Sequence, residues 1–522
     1  MNTKLQIFDS TLRDGAQSAN ISFSVEDKLK VIETLDELGV DFIEAGNPYS
    51  NPAEMQFFQR VQALKLKRSK LVAFGSTRRK NISCEEDSNL KSLLAANTEY
   101  VAIFGKSHIL HVTEVIKATP DENLCMIEES VRFLTEHGKK VIFDAEHFFD
   151  GYKADPAYAL SALESAAAGG ACILSLCDTN GGLFPDEAET IVRVVAEKFP
   201  SLVVGIHCHN DGGLAVADSV AAVCAGARHI QGTFLGFGER CGNANLSTII
   251  CNLQLKRGYS CLPAENMQKI YECAMTIAET ANIAVPQNEP YIGMNAFAHK
   301  AGMHADGVLK CANSFEHVDP AVIGNKRRFL LSEISGKSAI YDKIKNYFPK
   351  VDKNGREMAI IAEELKNLAV QGYQFEAAEA SFILRVSRIL GRYTPSFELI
   401  NYKIINEQPA IEGKVATAVV KIRVNGVTRI AASDGEGPVH AMDLALRSAL
   451  TEFYPEIAGT ALVDYKVRVL NSDKATAAKV RVLITTVNST DSWTTVGVSE
   501  DIIEASWIAL TDSIDYALMK RM

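Results

Sequence analysis

The feature that most constrains the fold is a series of eight short apolar segments in the first half of the chain, each followed by a helical pattern. The segments lie at residues 5–10, 40–46, 71–76, 100–105, 140–146, 172–178, 203–209 and 229–238. Their spacing of roughly 25 to 40 residues fits one strand, one helix and two turns. Most segments are continuously apolar, which is typical of parallel strands buried on both faces. Eight such units favour an α/β fold with a closed (β/α)8 TIM barrel, and a doubly wound sheet is the alternative.

The first intervening segment shows the helical pattern clearly. Residues 25–39 are amphipathic, Ser24 precedes them as a suitable N-cap, and Gly39 stands at the C-terminal stop. These are the usual start and stop signals of a helix.

Changes of pattern along the chain predict three parts. Residues 1–275 form the barrel, 276–385 form a mostly helical linker, and 386–522 form a C-terminal α+β domain. The last part contains a weak internal repeat, in which residues 418–450 parallel 480–514. Two such units form either a pseudo-twofold module with a site between them or an ordinary α+β dimerisation domain.

Composition excludes several functional classes. The 522 residues carry a net charge of −10, with no basic tail or stripe, so the sequence lacks the basic surface that is typical of nucleic-acid-binding proteins. The N-terminus has no apolar signal segment, and no run of about 18 apolar residues could span a membrane. The eleven cysteines include no CxxC pair, which favours buried, reduced thiols in a cytoplasmic protein.

Polar residues gather where the predicted strands end. They are Asp9, Arg13, Asp14, Glu44, Glu146, Asp178, Thr179, His207 and His209. In a barrel these ends form a single rim, which is where active sites lie. Residues far apart in the sequence are therefore expected to meet in one pocket.

A metal site is predicted at this rim. His207 and His209 are two residues apart on a strand, so their side chains point the same way and can bind one ion. Asp14 is the natural carboxylate partner, and Asn243 could supply a further oxygen. Mixed nitrogen and oxygen ligands suit a divalent ion such as Mn, Mg, Zn or Co. Cys208 points the other way and is predicted to be buried.

Three residues are candidates for the chemistry. Arg13 lies beside the predicted metal site, where it could stabilise an oxyanion. Glu146, expected among phenylalanines, would have a raised pKa and could act as a base, or it could only orient a ligand. His304 is a second candidate acid or base if its segment folds over the rim.

The segment DTNGG (178–182) is a candidate anion site. Thr179 offers a hydroxyl, and the glycines allow backbone N–H groups to approach a carboxylate. The same glycines also suit a tight turn. The segment at 235–243 lacks the glycine pattern of a dinucleotide-binding loop.

Taken together, these motifs resemble the family of 2-isopropylmalate, homocitrate and citramalate synthases, the acyl-CoA branch of the DRE-TIM metallolyases. The matching segments are STLRDGAQ (10–17), DTNGG (178–182), HCHND (207–211), GERCGNANL (238–246), HKAGMHADG (299–307) and DGEGPVHAMDLAL (434–446). Residues 143–160 are similar to the citramalate synthase group.

The resemblance implies an enzyme that joins acetyl-CoA to a 2-oxo acid. It implies a metal held by Asp14, His207 and His209 near Asn243, an Arg13 that polarises the keto oxygen, and a Thr179 that holds the substrate carboxylate. Glu146 and His304 match positions implicated in proton abstraction. The family also has a C-terminal regulatory domain that binds an end-product amino acid, and a homodimer is expected.

The citramalate-group similarity implies pyruvate as substrate, (R)-citramalate and CoA as products, a role in isoleucine biosynthesis, and isoleucine as inhibitor. The alternative is a 2-isopropylmalate synthase that uses 2-oxoisovalerate. An acyl-CoA lyase and a non-catalytic amino-acid sensor are further rivals. Large side chains near the rim suit the smaller acid, and we expect Phe104, rather than Phe74, Phe148 or Tyr152, to face the pocket.

Overall fold

The computed structural model describes residues 3–299, 302–329, 337–411, 413–470, 478–489 and 491–520. The chain divides into two compact units. The first contains Met1–Phe297 and His317–Arg327, and the second contains Ala298–Glu316 and Arg328–Met522. Among the described residues we find no helix with the length and apolar character needed to cross a bilayer.

Eight parallel strands close into a barrel in the first unit, with each strand paired to the next and the last paired to the first. They are β1 (Gln6–Asp9), β2 (Phe42–Gly46), β3 (Lys70–Ser76), β4 (Tyr100–Lys106), β5 (Lys140–Glu146), β6 (Ile173–Asp178), β7 (Val203–Cys208) and β8 (His229–Gly232). The predicted TIM barrel is confirmed, and the doubly wound sheet is wrong.

Helices connect and surround these strands. They are α1 (Val25–Leu38), α2 (Pro52–Val61), α3 (Ser88–Ala95), α4 (Pro120–Glu136), α5 (Phe148–Ala154), α6 (Pro156–Gly169), α7 (Pro185–Lys198), α8 (Ala215–Ala225), α9 (Leu246–Cys251) and α10 (Ile270–Thr280). The predicted ends of α1 are confirmed. Ser24 and Asp27 form a capping box, and Gly39 ends the helix at φ +95°.

The eighth strand is shorter than predicted. It ends at Gly232, whereas the apolar segment continues to residue 238. Leu235 and Gly236 have φ values of 60° and 73°, so the chain turns into a short 3-10 helix, Phe234–Gly236. Left-handed backbone cannot continue a strand.

One apolar layer fills the interior of the barrel. It consists of one residue from each of the first six strands: Phe8, Phe42, Val72, Ala102, Ile142 and Ile173. Because inward-facing positions recur at every second residue of a strand, the next inward positions lie above this layer, towards the carboxyl ends of the strands.

The second unit contains helices and short sheets. Its helices are α11 (Gly302–Lys310), α12 (Lys337–Ile344), α13 (Arg356–Val370), α14 (Glu379–Ile389), α15 (Pro438–Thr451) and α16 (Ile502–Met519). Its strands are β9 (Ala298–His299), β10 (Arg328–Phe329), β11 (Glu398–Ile411), β12 (Lys414–Val424), β13 (Val427–Gly435), β14 (Ala461–Val469), β15 (Val480–Val487) and β16 (Ser492–Ser499).

The predicted internal repeat is confirmed as two structural modules. In each, a three-stranded antiparallel sheet is followed by a helix: β11–β13 by α15, and β14–β16 by α16. Residues at matching positions of the two helices, such as Leu446 and Leu510, are buried in one shared core.

The cysteines only partly follow expectation. All eleven are free, but Cys125, Cys224, Cys241 and Cys311 are exposed. The prediction of buried thiols is therefore wrong for these four, because the outer face of α4, the end of α8 and two loops place them on the surface.

Candidate active site

Six of the nine residues predicted at the rim line one cavity above the apolar layer: Arg13, Asp14, Glu146, Thr179, His207 and His209. Asp9, Glu44 and Asp178 are buried and do not line it. This cavity has a volume of about 240 Å³. Its lining comprises Arg13, Asp14, Gln17, Phe74, Phe104, Asp144, Glu146, Cys177, Thr179, His207, His209 and Glu239. Since TIM-barrel active sites lie at the carboxyl ends of the strands, this cavity is the candidate active site.

Asp14, His207 and His209 come together in a potential metal-binding group. The Nε2 atoms of His207 and His209 lie 3.7 and 3.9 Å from the same atom, Oδ2 of Asp14. These separations are too long for hydrogen bonds, and they suit three ligand atoms that share one ion. Cys208 lies between the two histidines in sequence and is buried in the core, as predicted.

The charge state of this group suits a divalent cation. Burial lowers the pKa of His207 to about 3, so its imidazole is neutral near pH 7. Burial also lowers the pKa of His209. For Asp14, burial alone would raise the pKa, but the Arg13 guanidinium and the two imidazoles outweigh it, and the pKa is lowered. The group therefore offers one carboxylate and two neutral nitrogens.

Asn243 lies against the same carboxylate. Its Nδ2 donates a 2.8 Å hydrogen bond to Oδ1 of Asp14. Its Oδ1 is buried and has no hydrogen-bond partner within the described parts of the chain. Buried polar atoms are normally satisfied, so an unpaired oxygen at this place fits a site that accepts a cation. A direct part for Asn243 in metal binding stays a prediction.

Arg13 is held on two sides of its guanidinium. Its Nε donates to Glu44 at 2.6 Å, and its Nη1 donates to Asp14 at 2.8 Å. Its guanidinium carbon lies 3.9 Å from the ring centroid of Phe74. Burial would lower the pKa of Arg13, but Glu44 and Asp14 outweigh burial and raise it. Arg13 is therefore a fixed cation in the cavity, suited to a developing negative charge.

Glu146 has a partner that the sequence analysis missed. Its Oε2 accepts a hydrogen bond from Nζ of Lys106. We expected an apolar environment of phenylalanines, but Phe148 and Phe149 are fully buried in the core and Glu146 faces the cavity. Lys106 and Glu146 are register partners on β4 and β5, a pairing between strands that no local pattern reveals.

Thr179 is fixed by two neighbouring segments. Its Oγ1 accepts a 2.8 Å hydrogen bond from the backbone N–H of His147, and its carbonyl accepts one of 2.6 Å from Arg240. Arg240 also binds both carboxylate oxygens of Asp211. The hydroxyl of Thr179 is thus held at the cavity wall with its own proton available to a ligand.

Phe74 and Phe104 form the aromatic part of the wall. Their rings stack with centroids 5.6 Å apart and an interplanar angle of 24°. Both line the cavity, whereas Phe148 is buried in the core and Tyr152 packs against it. The structure thus places Phe104 where the sequence analysis expected it and adds Phe74.

Asp144 and Gln231 are polar residues of the barrel interior that the sequence analysis did not select. Burial raises the pKa of Asp144 to about 7. Strand periodicity could have identified Asp144 as an inward-facing residue, because it lies two residues after Ile142 of the apolar layer and two residues before Glu146 at the rim. Gln231 is fully buried on β8.

His304 belongs to the second unit, on α11. Its side chain is exposed and its ring stacks on Phe315, with centroids 4.2 Å apart. A part for His304 in proton transfer stays a prediction.

Three family models match the chain. The HMGL-like model matches residues 4–277, the homocitrate synthase post-HMGL domain-like model matches residues 291–373, and the LeuA allosteric (dimerisation) domain matches residues 376–518.

Full-length relatives are also similar to this chain. The (R)-citramalate synthase of Aquifex aeolicus is 49% identical over 521 residues, which is 100% of this chain and 99% of the relative. That of Synechocystis sp. is 44% identical, over 99% and 96% of the two chains. The 2-isopropylmalate synthase of Pyrococcus furiosus is 30% identical, over 97% of each chain.

Proposed function

Because this chain belongs to the family of the (R)-citramalate synthases, we propose that it condenses acetyl-CoA with pyruvate and releases (R)-citramalate and CoA, in isoleucine biosynthesis. The observation that carries this proposal is the convergence of Asp14, His207 and His209 with Arg13 in one small cavity. Its aromatic wall at Phe74 and Phe104 leaves a space suited to a methyl group.

Asp14, His207 and His209 would hold a divalent cation, with Asn243 beside them. Mn, Mg, Zn and Co all accept this combination of nitrogen and oxygen ligands. When bound, such an ion supplies a Lewis acid for the oxygens of a 2-oxo acid.

Arg13 and Thr179 bind and orient the substrate. Arg13 donates to the keto oxygen as negative charge develops there, and its fixed position means that no reorganisation is needed during the reaction. Thr179 already accepts a hydrogen bond from a backbone N–H. Its own hydroxyl proton is therefore directed to the carboxylate of pyruvate.

Glu146 is the proposed base for the methyl group of acetyl-CoA. It lines the cavity, and its contact with Lys106 orients the carboxylate. The carbanion formed attacks the keto carbon of pyruvate, and the carbonyl electron pair moves to the oxygen beside Arg13, which takes up a proton and becomes the hydroxyl group. Water then hydrolyses the thioester and CoA leaves as the thiol. His304 is the second candidate for proton transfer.

A neighbouring cavity of about 400 Å³ suits the rest of acetyl-CoA. Phe104 lines both this cavity and the candidate active site, and Lys106 lines this cavity and contacts Glu146 in the active site. Its lining includes the apolar side chains Ile116 and Met126 and the cationic side chains Arg78, Arg79 and Lys80. Arg78 is already paired with Glu122 and Glu129, so Arg79 and Lys80 are the cations proposed for the phosphates.

The remaining parts of the proposal concern organisation. Residues 1–275 form the catalytic domain, 276–385 the linker and 386–522 a regulatory domain that binds isoleucine. The match to the LeuA allosteric (dimerisation) domain supports this regulation and a homodimer. We propose that the protein acts in the cytoplasm, without nucleic-acid or membrane partners.

The test is release of free CoA thiol from acetyl-CoA against a panel of 2-oxo acids, with each divalent metal in turn. Pyruvate should be preferred, and the product should be (R)-citramalate by chiral chromatography. Preference for 2-oxoisovalerate would make the enzyme a 2-isopropylmalate synthase. Cleavage of citramalyl-CoA without condensation would indicate a lyase, and no turnover with any metal would indicate a sensor.

A further inference from the structure

A chain of buried hydrogen bonds lies behind His207. Nδ1 of His207 lies 3.0 Å from Oε1 of Gln231, and Nε2 of Gln231 donates to Oδ1 of Asp144 at 2.8 Å. The three residues belong to β7, β8 and β5 and are all buried. Neither Gln231 nor Asp144 has a part in the chemistry proposed above.

The orientation of the Gln231 amide determines which nitrogen of His207 carries the proton. With Oε1 towards His207, Nδ1 must donate, and Nε2 keeps the lone pair that faces Asp14. With the amide turned, its N–H group would face Nδ1, and the proton of a neutral His207 would move to Nε2. An imidazole protonated at Nε2 cannot bind a cation through that atom.

Two hydrogen-bond acceptors determine which way the amide nitrogen of Gln231 points. The Asp144 carboxylate can only accept when ionised. His229 is the second, since its Nε2 lies 3.5 Å from Nε2 of Gln231. Nδ1 of His229 lies 3.3 Å from Oε1 of Gln6, which places the proton on Nδ1 and leaves Nε2 as an acceptor.

We propose that Asp144 is a positioning residue that acts through Gln231 to set the tautomer of His207, and thereby sets the affinity of the site for a divalent cation. This inference rests on the proposed metal site. It explains why a carboxylate is buried at position 144, where desolvation is costly and an apolar side chain would fill the space.

The test is a double-mutant cycle on the full-length, metal-free protein, with Mn²⁺ binding measured by calorimetry. The four proteins are wild type, Asp144→Asn, Gln231→Glu and the double variant. An asparagine at position 144 can donate as well as accept, so the Gln231 amide loses its shorter, acceptor-only contact and keeps only the longer one to Nε2 of His229. A glutamate at position 231 would share one proton with the Asp144 carboxylate that it contacts. Because that proton lies between the two carboxyl groups, the oxygen that faces His207 still accepts, and it also accepts when residue 144 is asparagine. The titrations are run at about pH 8, above the pKa of Asp144, which burial raises to about 7.

Asp144→Asn should weaken Mn²⁺ binding roughly 10-fold or more with Gln231 present, in the range typical of residues that orient metal ligands. The same substitution should cause no loss in the Gln231→Glu background. There the introduced amide donates to the introduced carboxylate, which relieves the contact between two carboxylates. Asp9→Asn is the matched control. It removes another buried carboxylate, one that contacts Thr11 and not Gln231.

Equal losses in both backgrounds would overturn the inference, because they would mean that Asp144 acts through its charge or packing alone. No loss with Gln231 present would overturn it as well. If Asp144→Asn does not fold, Gln231→Met tests the same relay, and unchanged affinity would refute it. Failure of the metal site itself is separate: wild type would then bind no Mn²⁺, or His207→Ala would bind it as well as wild type does.

Discussion

Replacing Phe104 by alanine should change which 2-oxo acid the enzyme prefers. The substitution removes six ring carbons from the cavity wall, and 2-oxoisovalerate has only two more carbons than pyruvate. Each added carbon in an apolar pocket is worth about 1 to 3 kcal/mol. We therefore expect the kcat/KM for 2-oxoisovalerate, relative to that for pyruvate, to rise by roughly 30-fold or more.

The same change should also impair the reaction with pyruvate. Phe104 stacks on Phe74, and Phe74 lies under the guanidinium of Arg13. Loss of one aromatic pair costs about 0.5 to 1.5 kcal/mol, so kcat/KM for pyruvate should fall by roughly 2- to 10-fold. Thiol release measures both substrates under the same conditions.

Phe148→Leu is the matched control, because Phe148 is buried beside the same end of the barrel without lining the cavity. It should lower stability and leave the preference between the two acids unchanged. If Phe104→Ala keeps the wild-type preference, or if Phe148→Leu alters it to the same extent, the aromatic wall does not select the substrate.

Four further outcomes are expected. His207→Ala and His209→Ala should each abolish activity and divalent-metal binding while the circular dichroism spectrum stays unchanged; full activity with metal bound would contradict the assignment. Glu146→Gln should lower kcat roughly 100-fold or more, and an effect limited to the KM for pyruvate would show that it only positions substrate. Isoleucine should inhibit the full-length enzyme in the thiol-release assay, and the absence of inhibition by any branched-chain amino acid would refute the regulatory domain. As the pH falls from about 7 to 4, wild type should lose stability relative to His229→Gln, measured as the free energy of unfolding of the metal-free proteins in urea. Burial lowers the pKa of His229 from 6.5 to about 3, so the unfolded wild-type chain takes up a proton that the folded chain excludes. Burial raises the pKa of Asp9, Asp144 and Asp218 to about 7, and these groups act in the opposite direction in both proteins; the same pH dependence in the two proteins would contradict this.

Regulation has to be tested on the full chain because of how the second unit is packed. The helix α14 spans the predicted boundary between residues 385 and 386. Its residues Phe382 and Ile383 are fully buried in one core with Trp493 and Val496. A truncation at that boundary would divide the helix and expose this core, so a loss of response to isoleucine could not be separated from misfolding.

The barrel could be predicted because its signals are local. Each strand and helix is marked by its own apolar pattern, and α1 even by its caps at Ser24 and Gly39. The end of β8 could not be predicted in the same way. Its apolar segment continues, and only the left-handed backbone at Leu235 and Gly236 ends the strand.

The metal group was predictable for a related reason. His207 and His209 are neighbours in sequence, and strand periodicity alone brings them to one face. The contacts that support the site depend instead on strand pairing and on closure of the barrel. Lys106 reaches Glu146 across the β4–β5 pair, and Asp144 reaches Gln231 from β5 to β8. Sequence patterns contain no information on such pairs until the strand order is known.

The strand order also accounts for the direction in which a 2-oxo acid would enter the site. In a closed barrel of eight strands, β3 lies opposite β7 and β4 lies opposite β8. Phe74 and Phe104, on β3 and β4, make one wall apolar, while His207 and His209 at the end of β7 make the facing wall polar. A 2-oxo acid has the same asymmetry, with an alkyl group at one end and a carboxylate at the other. Its reverse orientation would place the carboxylate against two aromatic rings, a desolvated contact without a partner. In the proposed function, the fold would therefore orient the 2-oxo acid before any single hydrogen bond to it forms, and Arg13, stacked on Phe74 and hydrogen-bonded to Asp14, lies where the two walls meet.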